Sequence, residues 1–214
     1  MDRSGKSVLE IIHKGESLGA FHLPLPGRHN GLNVLGCVGI LLHLDVPVEK
    51  IKKGLVGFLS VRRRQEIVEE AGGISFMDDF AHHPTAVRET IEAVKMLYPE
   101  KRVLAVFEPK THTSRRKIFQ KQYTAAFLHA DISFCLPVFR SEALEDSERF
   151  DPISWSREIQ KQGGTAYAVS DAEELERRLI ETLRKGDLVL FMSSGNLSNM
   201  IKNIIQKMDS MNAT

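Results

Sequence analysis

Apolar and polar positions follow first a strand-like and then a helix-like period in the first sixty residues. Residues 8–23 alternate loosely around a polar turn at 13–17, which predicts a β-hairpin. The punctuated stretch LPLPGRHNGLN leads into residues 32–44, which are apolar on nearly every side and predict a buried helix. A second helix is predicted at about 48–58. Two strands and two helices are few for an independent domain, because a sheet needs partner strands and a cover.

The pattern becomes regular beyond a strongly charged segment, SVRRRQEIVEE, so we place a domain boundary there, between 1–60 and 61–214. A hairpin is predicted across Gly72–Gly73, and Ser170 with Glu173 is predicted to cap a later helix. The further predicted strands are 103–107, 132–136, 166–169 and 188–192, and the predicted helices are 85–97, 115–129, 152–162, 171–185 and 197–208. This alternation predicts an α/β fold, a Rossmann-like and mostly parallel sheet with helices on both faces.

Composition narrows the possible partners. The chain has 214 residues, of which 27% are charged, and a formal net charge of +1. This balance gives no global field toward nucleic acid or an anionic membrane, so neither is an expected partner. Cys37 and Cys135 lie in apolar runs without CxxC spacing, which is typical of reduced thiols and indicates the cytoplasm. No apolar run approaches the roughly 18 residues that a membrane span needs, and nothing implies an oligomer.

The candidate site centres on the stretch DDFAHHPTAVRET, which joins a predicted strand to a predicted helix. Pro84 suits the first helical turn, so Asp78, Asp79, His82 and His83 lie at the turn itself. In parallel α/β sheets, ligands bind at the carboxyl ends of strands, beside helix N-termini that attract anions. Two carboxylates and two imidazoles at such a place point to Mg²⁺ and phosphate chemistry. The alternative is that the acids only cap the helix and the histidines are solvated.

Four other polar turns are candidates for the same cleft. GRHNGLN places Asn30 and Asn33 three apart on one helix face, where both amides can reach one ligand, although Asn30 could simply be a helix cap. VRRRQE, at 61–66, offers guanidinium groups that match phosphate oxygens, or a solvated linker. EPKTHTSRRK, at 108–117, puts cations at a helix start against the helix dipole, so we expect an anionic ligand there. SSGN, at 193–196, allows close approach to the backbone or merely tight packing.

The sequence does not contain the motifs of several familiar enzyme classes. The histidines do not have the HExxH spacing of a zinc hydrolase, and we assign no residue as a metal ligand. Neither GxSxG nor the GxGxxG of nicotinamide-binding domains occurs. The string SGKS at 4–7 follows no strand and no spaced glycine, so it is not predicted to bind phosphate.

DDFAHHPT and GRHNGLN together resemble signature segments of the Mur ligase family, which joins amino acids or peptides to UDP-muramoyl carboxylates using ATP. The resemblance extends over nearly the whole chain. It implies that 1–60 end a central ATP-binding domain and that 61–214 form a C-terminal, peptide-binding domain. Because no phosphate-binding loop is found, the chain is expected to be a fragment without activity of its own, with most Mg²⁺ ligands outside it.

The resemblance also implies roles for the candidate residues. Asp79, His83 and Arg64 are expected to serve catalysis, with Arg63 in place of Arg64 if the register slips by one. ATP is expected to contact residues of three turns: His29, Asn30, Asn33, Arg64, Asp79 and His82. The peptide is expected to contact residues of two turns: Lys110, His112, Thr113, Ser114, Arg115, Arg116, Ser194 and Asn196.

Within the family, DDFAHHPTA, VFEPKTHTSRR and LPVFRSEALEDSERFDP resemble the murein peptide ligases of peptidoglycan recycling. These join the tripeptide L-alanyl-γ-D-glutamyl-meso-diaminopimelate to UDP-N-acetylmuramate through an acyl phosphate. Lys110 and His112 depart from that branch, in which Arg and Asn are expected. A UDP-N-acetylmuramate–L-alanine ligase is the alternative, and a non-catalytic peptide- or nucleotide-binding module is the alternative from another class.

Overall fold

The structure, a computed structural model, describes residues 7–23, 25–59 and 61–212. The chain forms two compact units, Met1–Arg62 and Arg63–Thr214. The predicted α/β class with a mostly parallel sheet is confirmed in the second unit. Among the described residues, no helix combines the length and the apolar character that a membrane span requires.

The first unit contains the predicted hairpin and both predicted helices. β1 (Val8–His13) pairs antiparallel with β2 (Glu16–His22), and α1 (Arg28–His43) and α2 (Val48–Val56) follow. A small core takes one buried apolar residue from each element: Ile11, Phe21, Val38 and Ile51. In the described part of this unit the sheet has two strands.

The prediction that α1 is buried on all sides is wrong. Leu32, Leu35 and Ile40 on this helix are 50%, 43% and 65% exposed. A helix that is apolar all round needs cover all round, whereas a two-stranded sheet and one short helix cover a single face. α1 therefore buries Val38 and leaves an apolar stripe in contact with solvent.

The described part of the second unit contains a sheet of six strands. Its strands are β3 (Glu66–Ala71), β4 (Ile74–Asp79), β5 (Val103–Phe107), β6 (Ile132–Cys135), β7 (Ala166–Ala168) and β8 (Leu188–Met192). They lie in the order β3-β4-β8-β5-β6-β7, with the edge strand β3 antiparallel to β4 and the other pairs parallel. Gly72 and Gly73 both have positive φ, as the tight turn from β3 to β4 requires.

Helices cover both faces of this sheet: α3 (Pro84–Leu97), α4 (Gln120–Phe127), α5 (Pro152–Lys161), α6 (Ala172–Thr182) and α7 (Ser198–Asn212). Apolar side chains of α3, α4 and α5 pack in one core, and those of α6 and α7 pack in the other. Along β5, Val103, Ala105 and Phe107 enter the first core, whereas Leu104 and Val106 enter the second. A strand buried on both faces must be apolar throughout, which explains the run VLAVF.

The start of α4 differs from the prediction. The helix begins at Gln120 rather than near residue 115, after a short 3₁₀ turn at Lys117–Phe119. The chain before it is bound to a neighbouring loop, because Phe150 N donates to the Arg115 carbonyl and Lys117 N donates to the Glu148 carbonyl. The Arg115 carbonyl thus accepts from the neighbouring loop rather than from a following helical turn, and the helix begins later.

The cap of α6 also differs from the prediction by one residue. The Asp171 carboxylate, rather than the Ser170 hydroxyl, accepts from the N–H of the first turn, at Glu174. The Glu174 carboxylate, rather than that of Glu173, reaches back and accepts from the N–H and the hydroxyl of Ser170, both at 2.7 Å. The reciprocal hydrogen bonds of a capping box are therefore formed, but by residues one position later in the chain.

A bidentate ion pair joins the amino-terminal ends of β5 and β8. Arg102 donates from Nε to Asp187 Oδ1 at 3.0 Å and from Nη2 to Oδ2 at 2.7 Å. Asp187 is 3% exposed and also accepts from Arg184 N, while Arg102 also donates to the Thr182 carbonyl. A buried carboxylate of this kind depends on its cation.

We expect Arg102→Met to lower the free energy of unfolding of the second unit by about 3 kcal/mol, because it leaves Asp187 buried without its cation. Urea unfolding followed by the fluorescence of Trp155, the single tryptophan and fully buried in this unit, measures the change. Arg177→Met on the exposed pair with Glu181 is the matched control and should cost less than about 1 kcal/mol. Equal losses of unfolding free energy in the two variants would contradict a stabilising role for the Arg102–Asp187 ion pair.

The cap of α6 predicts an acid titration. Hydrogen bonds from the Ser170 N–H and hydroxyl, and from Arg178, lower the pKa of Glu174 to about 2 from its ordinary 4.5. The stabilising contribution of this carboxylate is therefore present above pH 4.5 and is lost as the pH falls toward 2. Carboxyl ¹³C NMR should record this titration, and Ser170→Ala should move its midpoint upward. A midpoint that does not respond to Ser170→Ala would rule out the reciprocal cap.

Candidate functional site

The candidate site lies at the carboxyl-terminal edge of the sheet, around β8. This strand separates β4 from β5, and the helices that follow β4 and β5 pack on one face while α7, which follows β8, packs on the other. Such a reversal opens a crevice between the loops that leave in opposite directions, and ligands of open α/β sheets bind there. The turns at 78–83, 108–116 and 193–197 all leave the sheet at this point.

Arg63 and Asp78 form the first part of this edge. Arg63 donates from Nε to Asp78 Oδ2 at 2.9 Å and from Nη2 to the Ser193 carbonyl at 2.6 Å, and its guanidinium lies 5.3 Å from the centre of the Phe80 ring. Its backbone N–H donates to Glu66 at 2.7 Å. Arg63 thus joins the entry of β3 to the ends of β4 and β8, and its positive φ is held by these contacts.

Asp79 is held within the fold. Its side chain is buried, and Oδ2 accepts from Gln65 N at 2.9 Å while Oδ1 accepts from Ala81 N at 2.7 Å and from the Thr90 hydroxyl at 3.5 Å. These bonds tie the turn before β3, the turn after β4 and the middle of α3 to the end of β4. Asp79 consequently acts first as the brace of the turn that carries Arg63 and Arg64.

Arg64 differs from its neighbour. Its side chain is exposed, and in the described part of the chain it makes no hydrogen bond or ion pair, whereas Arg63 uses its guanidinium inside the fold. The flanking residues Arg63 and Gln65 both have positive φ, so Arg64 lies on a sharp, braced bend. Of the two arginines in question, Arg64 is therefore the one with donors available to a ligand.

The two histidines of the signature stretch have different environments. His82 is partly buried, and its Nδ1 lies 2.9 Å from the Phe80 carbonyl, so Nδ1 carries the proton and Nε2 is an acceptor in the neutral ring. Tyr123 donates to the His82 carbonyl at 2.5 Å, and burial raises the pKa of Tyr123, which keeps it a donor. His83 is exposed and caps α3, with Nδ1 accepting from Thr85 N at 3.4 Å.

Glu108 and Ser193 connect β5 to β8 just beyond the carboxyl-terminal ends of the two strands. The Ser193 hydroxyl donates to Glu108 Oε2 in a short hydrogen bond, and Ser193 Oγ accepts from Gly195 N at 2.8 Å. Glu108 Oε1 lies 3.6 Å from Lys110 Nζ, and that ammonium group lies 4.7 Å from the centre of the Phe139 ring. A carboxylate and an ammonium group therefore sit side by side at the reversal of the sheet.

The arginines of the predicted anion-binding pocket at residues 110–116 have partners within the protein. Arg116 pairs with Glu148 at 3.0 Å and also donates to His112, while Arg115 donates to the carbonyls of Phe139 and Arg140. These contacts do not favour an external anion, and because α4 starts later, these cations do not face a helix N-terminus.

The remaining predicted substrate contacts differ in their exposure and in whether they already have hydrogen-bond partners. Ser114 is buried and bonds to Thr111 within a tight turn, so its hydroxyl is committed, whereas Thr113 is partly buried. Ser194 is partly buried, and Asn196 is exposed and accepts from Ser198 N at the start of α7. None of these polar side chains adds charge to the crevice.

The predicted nucleotide contacts of the first unit lie in the first turns of α1. His29 and Asn30 are partly buried, and Asn33 is exposed one turn later. Gly27 is the residue before the helix, so Asn30 is not its cap; the Asn30 side-chain amide instead donates to the Pro26 carbonyl at 2.7 Å. Among the described residues, no group of three or more histidine, cysteine or acidic side chains is arranged to hold a metal ion.

Sequence reasoning did not assign the contacts of four residues in the candidate turns: Asp78 as the partner of Arg63, Glu108, Ser193 and Gly195. Glu108 had a signal, since it directly follows a fully apolar strand, where ligands of such sheets bind. Ser193 and Gly195 lie in the SSGN turn that the sequence singled out, but their contacts come from the insertion of β8 beside β5.

The chain is similar to known proteins, and the similarity includes the candidate site. Residues 63–195 match the family described as "Mur ligase, glutamate ligase domain". A UDP-N-acetylmuramate–L-alanine ligase of Desulfitobacterium hafniense is 33% identical over 199 residues, which are 93% of this chain and 44% of that protein. The chain thus spans less than half the length of the curated relatives it matches. Relatives of this kind favour the L-alanine ligase, the alternative, over the predicted tripeptide ligase.

Solved structures share the fold. A UDP-N-acetylmuramate–alanine ligase of Thermotoga maritima superposes with a TM-score of 0.78 at 20% identity, covering 97% of this chain and 44% of that one. A murein peptide ligase of Psychrobacter arcticus gives 0.66 at 21% identity, covering 92% of this chain and 40% of that one. The matched residues extend over more than half the chain, from the Arg63 bend to Gly195. The chain belongs to the Mur ligase family.

Proposed function

We propose that this chain supplies the amino-acid-binding part of an ATP-dependent ligase that joins L-alanine to UDP-N-acetylmuramate in the cytoplasm. The observation that carries the proposal is the ion pair of Glu108 and Lys110 at the reversal of the sheet, where ligands of such folds bind. The likeness to L-alanine ligases at 33% identity supports this amino acid as the substrate.

The tripeptide remains the second candidate, and the loop after β5 weakens it. Several carboxylates on one peptide would require several available cations. In this loop Arg116 is neutralised by Glu148, and Arg115 is engaged by two backbone carbonyls. A substrate with a single carboxylate, such as L-alanine, requires fewer cations than the tripeptide does.

The nucleotide part of the proposal depends on residues with open hydrogen-bonding groups. Arg64 is exposed and has guanidinium donors that fit phosphate oxygens. ATP, when bound, would supply the phosphoryl group that activates the muramoyl carboxylate, and Mg²⁺ would neutralise the phosphate charge. Asp79 and Asp78 do not fit as ligands of that ion, because amide donors and Arg63 already use their oxygens.

This chain's own residues then perform three tasks in the proposed reaction. Asp79 braces the bend that presents Arg64. The Glu108–Lys110 pair holds the amino acid with its amine toward the activated carboxyl group. Phe139 and the backbone at Gly195 pack against the side chains of this pair and hold them in place.

A chimeric ligase tests the proposed substrate. This chain would replace the aligned segment, 44% of the length, of the Desulfitobacterium hafniense ligase. Phosphate release that requires ATP and UDP-N-acetylmuramate should then proceed with L-alanine at a kcat/KM at least about tenfold above that with the tripeptide. The unmodified ligase is the control for the assay. A preference for the tripeptide, or equal use of both substrates, would refute the L-alanine assignment.

Asp79→Asn in the 214-residue chain tests the brace. An amide presents one acceptor where the carboxylate presents two, so either Gln65 N or Ala81 N loses its partner in a buried place. We expect a loss of about 2 kcal/mol in the free energy of unfolding and faster hydrogen exchange at one of these two amides. In the chimera the same change should lower kcat/KM through the Arg64 bend. Unchanged stability with a large loss of activity would instead make Asp79 a direct participant in the chemistry.

A further inference from the structure

A groove of about 730 Å³ runs between α4 and α5 on the outer surface of the second unit. Tyr123 of α4 and Trp155 of α5 point into the core, and the groove follows the opposite, exposed sides of the two helices. It is lined by residues between 117 and 125 on one wall and between 154 and 162 on the other. The proposed ligase reaction uses neither wall.

Two cations stand on each wall of this groove. Lys117 and Lys121 lie four residues apart on the α4 wall, and Arg157 and Lys161 lie four residues apart on the α5 wall. Side chains at this spacing are neighbours on one side of a helix. All four are exposed, so the groove presents positive charge from both sides.

These charges are not neutralised by the described part of the chain. The side chains of Lys117, Lys121 and Arg157 form no ion pair there, and Lys161 Nζ lies 3.9 Å from Glu158, the one acid among the described lining residues. The groove therefore carries three net positive charges, whereas the whole chain carries one. Like charges on neighbouring helical turns repel each other, so the arrangement costs stability.

The groove between α6 and α7 provides a contrast within the same unit. It is larger, at about 980 Å³, and its cations are Arg177 and Lys207. Arg177 pairs with Glu181 at 2.9 Å, and Lys207 pairs with Glu176 at 2.6 Å. A groove between two helices of this fold can thus have neutralised cations. The unpaired cations between α4 and α5 are a property of that groove and not of the architecture.

Contacts between α4 and α5 hold the walls of the groove in place. Gln120 Nε2 donates to Ser154 Oγ at 2.5 Å, and Gln120 Oε1 accepts from Asp151 N at 2.9 Å. On the inner side of the two helices, the Phe127 and Trp155 rings meet edge to face, with their centres 5.1 Å apart. A site with fixed walls loses little conformational entropy when a partner binds.

We propose that the groove between α4 and α5 binds an acidic peptide segment of a partner protein. The α5 wall, from Ser154 to Lys161, is about 10 Å long. An extended peptide of about three residues covers this length, so acidic side chains on alternate sides of the peptide reach the cations of both walls. Binding would neutralise charges that the described part of the chain leaves unpaired.

The lining favours a peptide over other polyanions. None of its described residues is aromatic, whereas proteins that bind single-stranded nucleic acid stack the bases on aromatic rings. Anionic membranes bind basic residues that project from a surface, because the headgroups form a broad layer. Here the cations line a recess, which an extended chain can enter.

Fluorescence anisotropy with a labelled hexaglutamate peptide and the 214-residue chain tests the groove. We expect binding that weakens as the salt concentration rises, because the attraction is between charges at the surface. Arg157→Glu should weaken the binding by about tenfold, since the change removes an attraction and adds a repulsion. Lys202→Glu on α7 is the matched control, because it reverses one exposed charge outside the groove, and it should stay within about twofold.

NMR of the ¹⁵N-labelled chain locates the bound peptide. Hexaglutamate should shift the amides of Lys121, Thr124, Arg157 and Lys161, and Trp155 fluorescence verifies that each variant is folded. The proposal is overturned if none of these amides shifts, or if the two charge reversals weaken the peptide equally. Tighter binding of an oligothymidylate or of phosphatidylglycerol vesicles than of hexaglutamate would also overturn it, in favour of nucleic acid or of a membrane surface.

Discussion

The last strand of the chain lies in the middle of the sheet, and this insertion is the constraint on which the rest of the second unit depends. β8 pairs in parallel with β4 on one side and with β5 on the other. Backbone bonds extend the pairing past the strand ends, from Ser193 N to the Asp79 carbonyl and from Glu108 N to the Met192 carbonyl. Without β8, the turns that follow β4 and β5 would have no common neighbour. The strand therefore builds the core and assembles the candidate site at once.

Charged groups secure β8 at both ends, and the two ends differ in burial. At the amino-terminal end, Asp187 accepts from Arg102 and Arg184, and both of its oxygens are used. At the carboxyl-terminal end, one Glu108 oxygen accepts from the Ser193 hydroxyl, and the other lies 3.6 Å from Lys110 Nζ. The side chains of Glu108 and Lys110 are more exposed than those of Asp187 and Arg102, so the carboxyl-terminal end is the less buried of the two.

Charge alone was a poor guide to the substrate. The run KTHTSRRK predicted an anion pocket, yet the structure pairs Arg116 with Glu148, a residue more than thirty positions away in the chain. Long-range neutralisation of this kind leaves no trace in local sequence. Lys110, in the same loop, lies instead beside a near neighbour in the chain, with 3.6 Å between its Nζ and Glu108 Oε1.

Residue patterns were sufficient to predict the class of the fold, the order of strands and helices, the family, and the position of the signature turn. These follow from periodicity, strand-end punctuation and short motifs, which are local properties. Three contacts required the folded chain: Asp79 braces a turn, Arg63 rather than Arg64 is used inside the fold, and the Ser193 hydroxyl binds Glu108. Each of these depends on which strand lies beside which, and a parallel sheet joins residues far apart in sequence through hydrogen bonds that no local pattern encodes. For the same reason α1, apolar all round, was predicted to be buried, whereas the number of elements around it decides how much of a helix is covered.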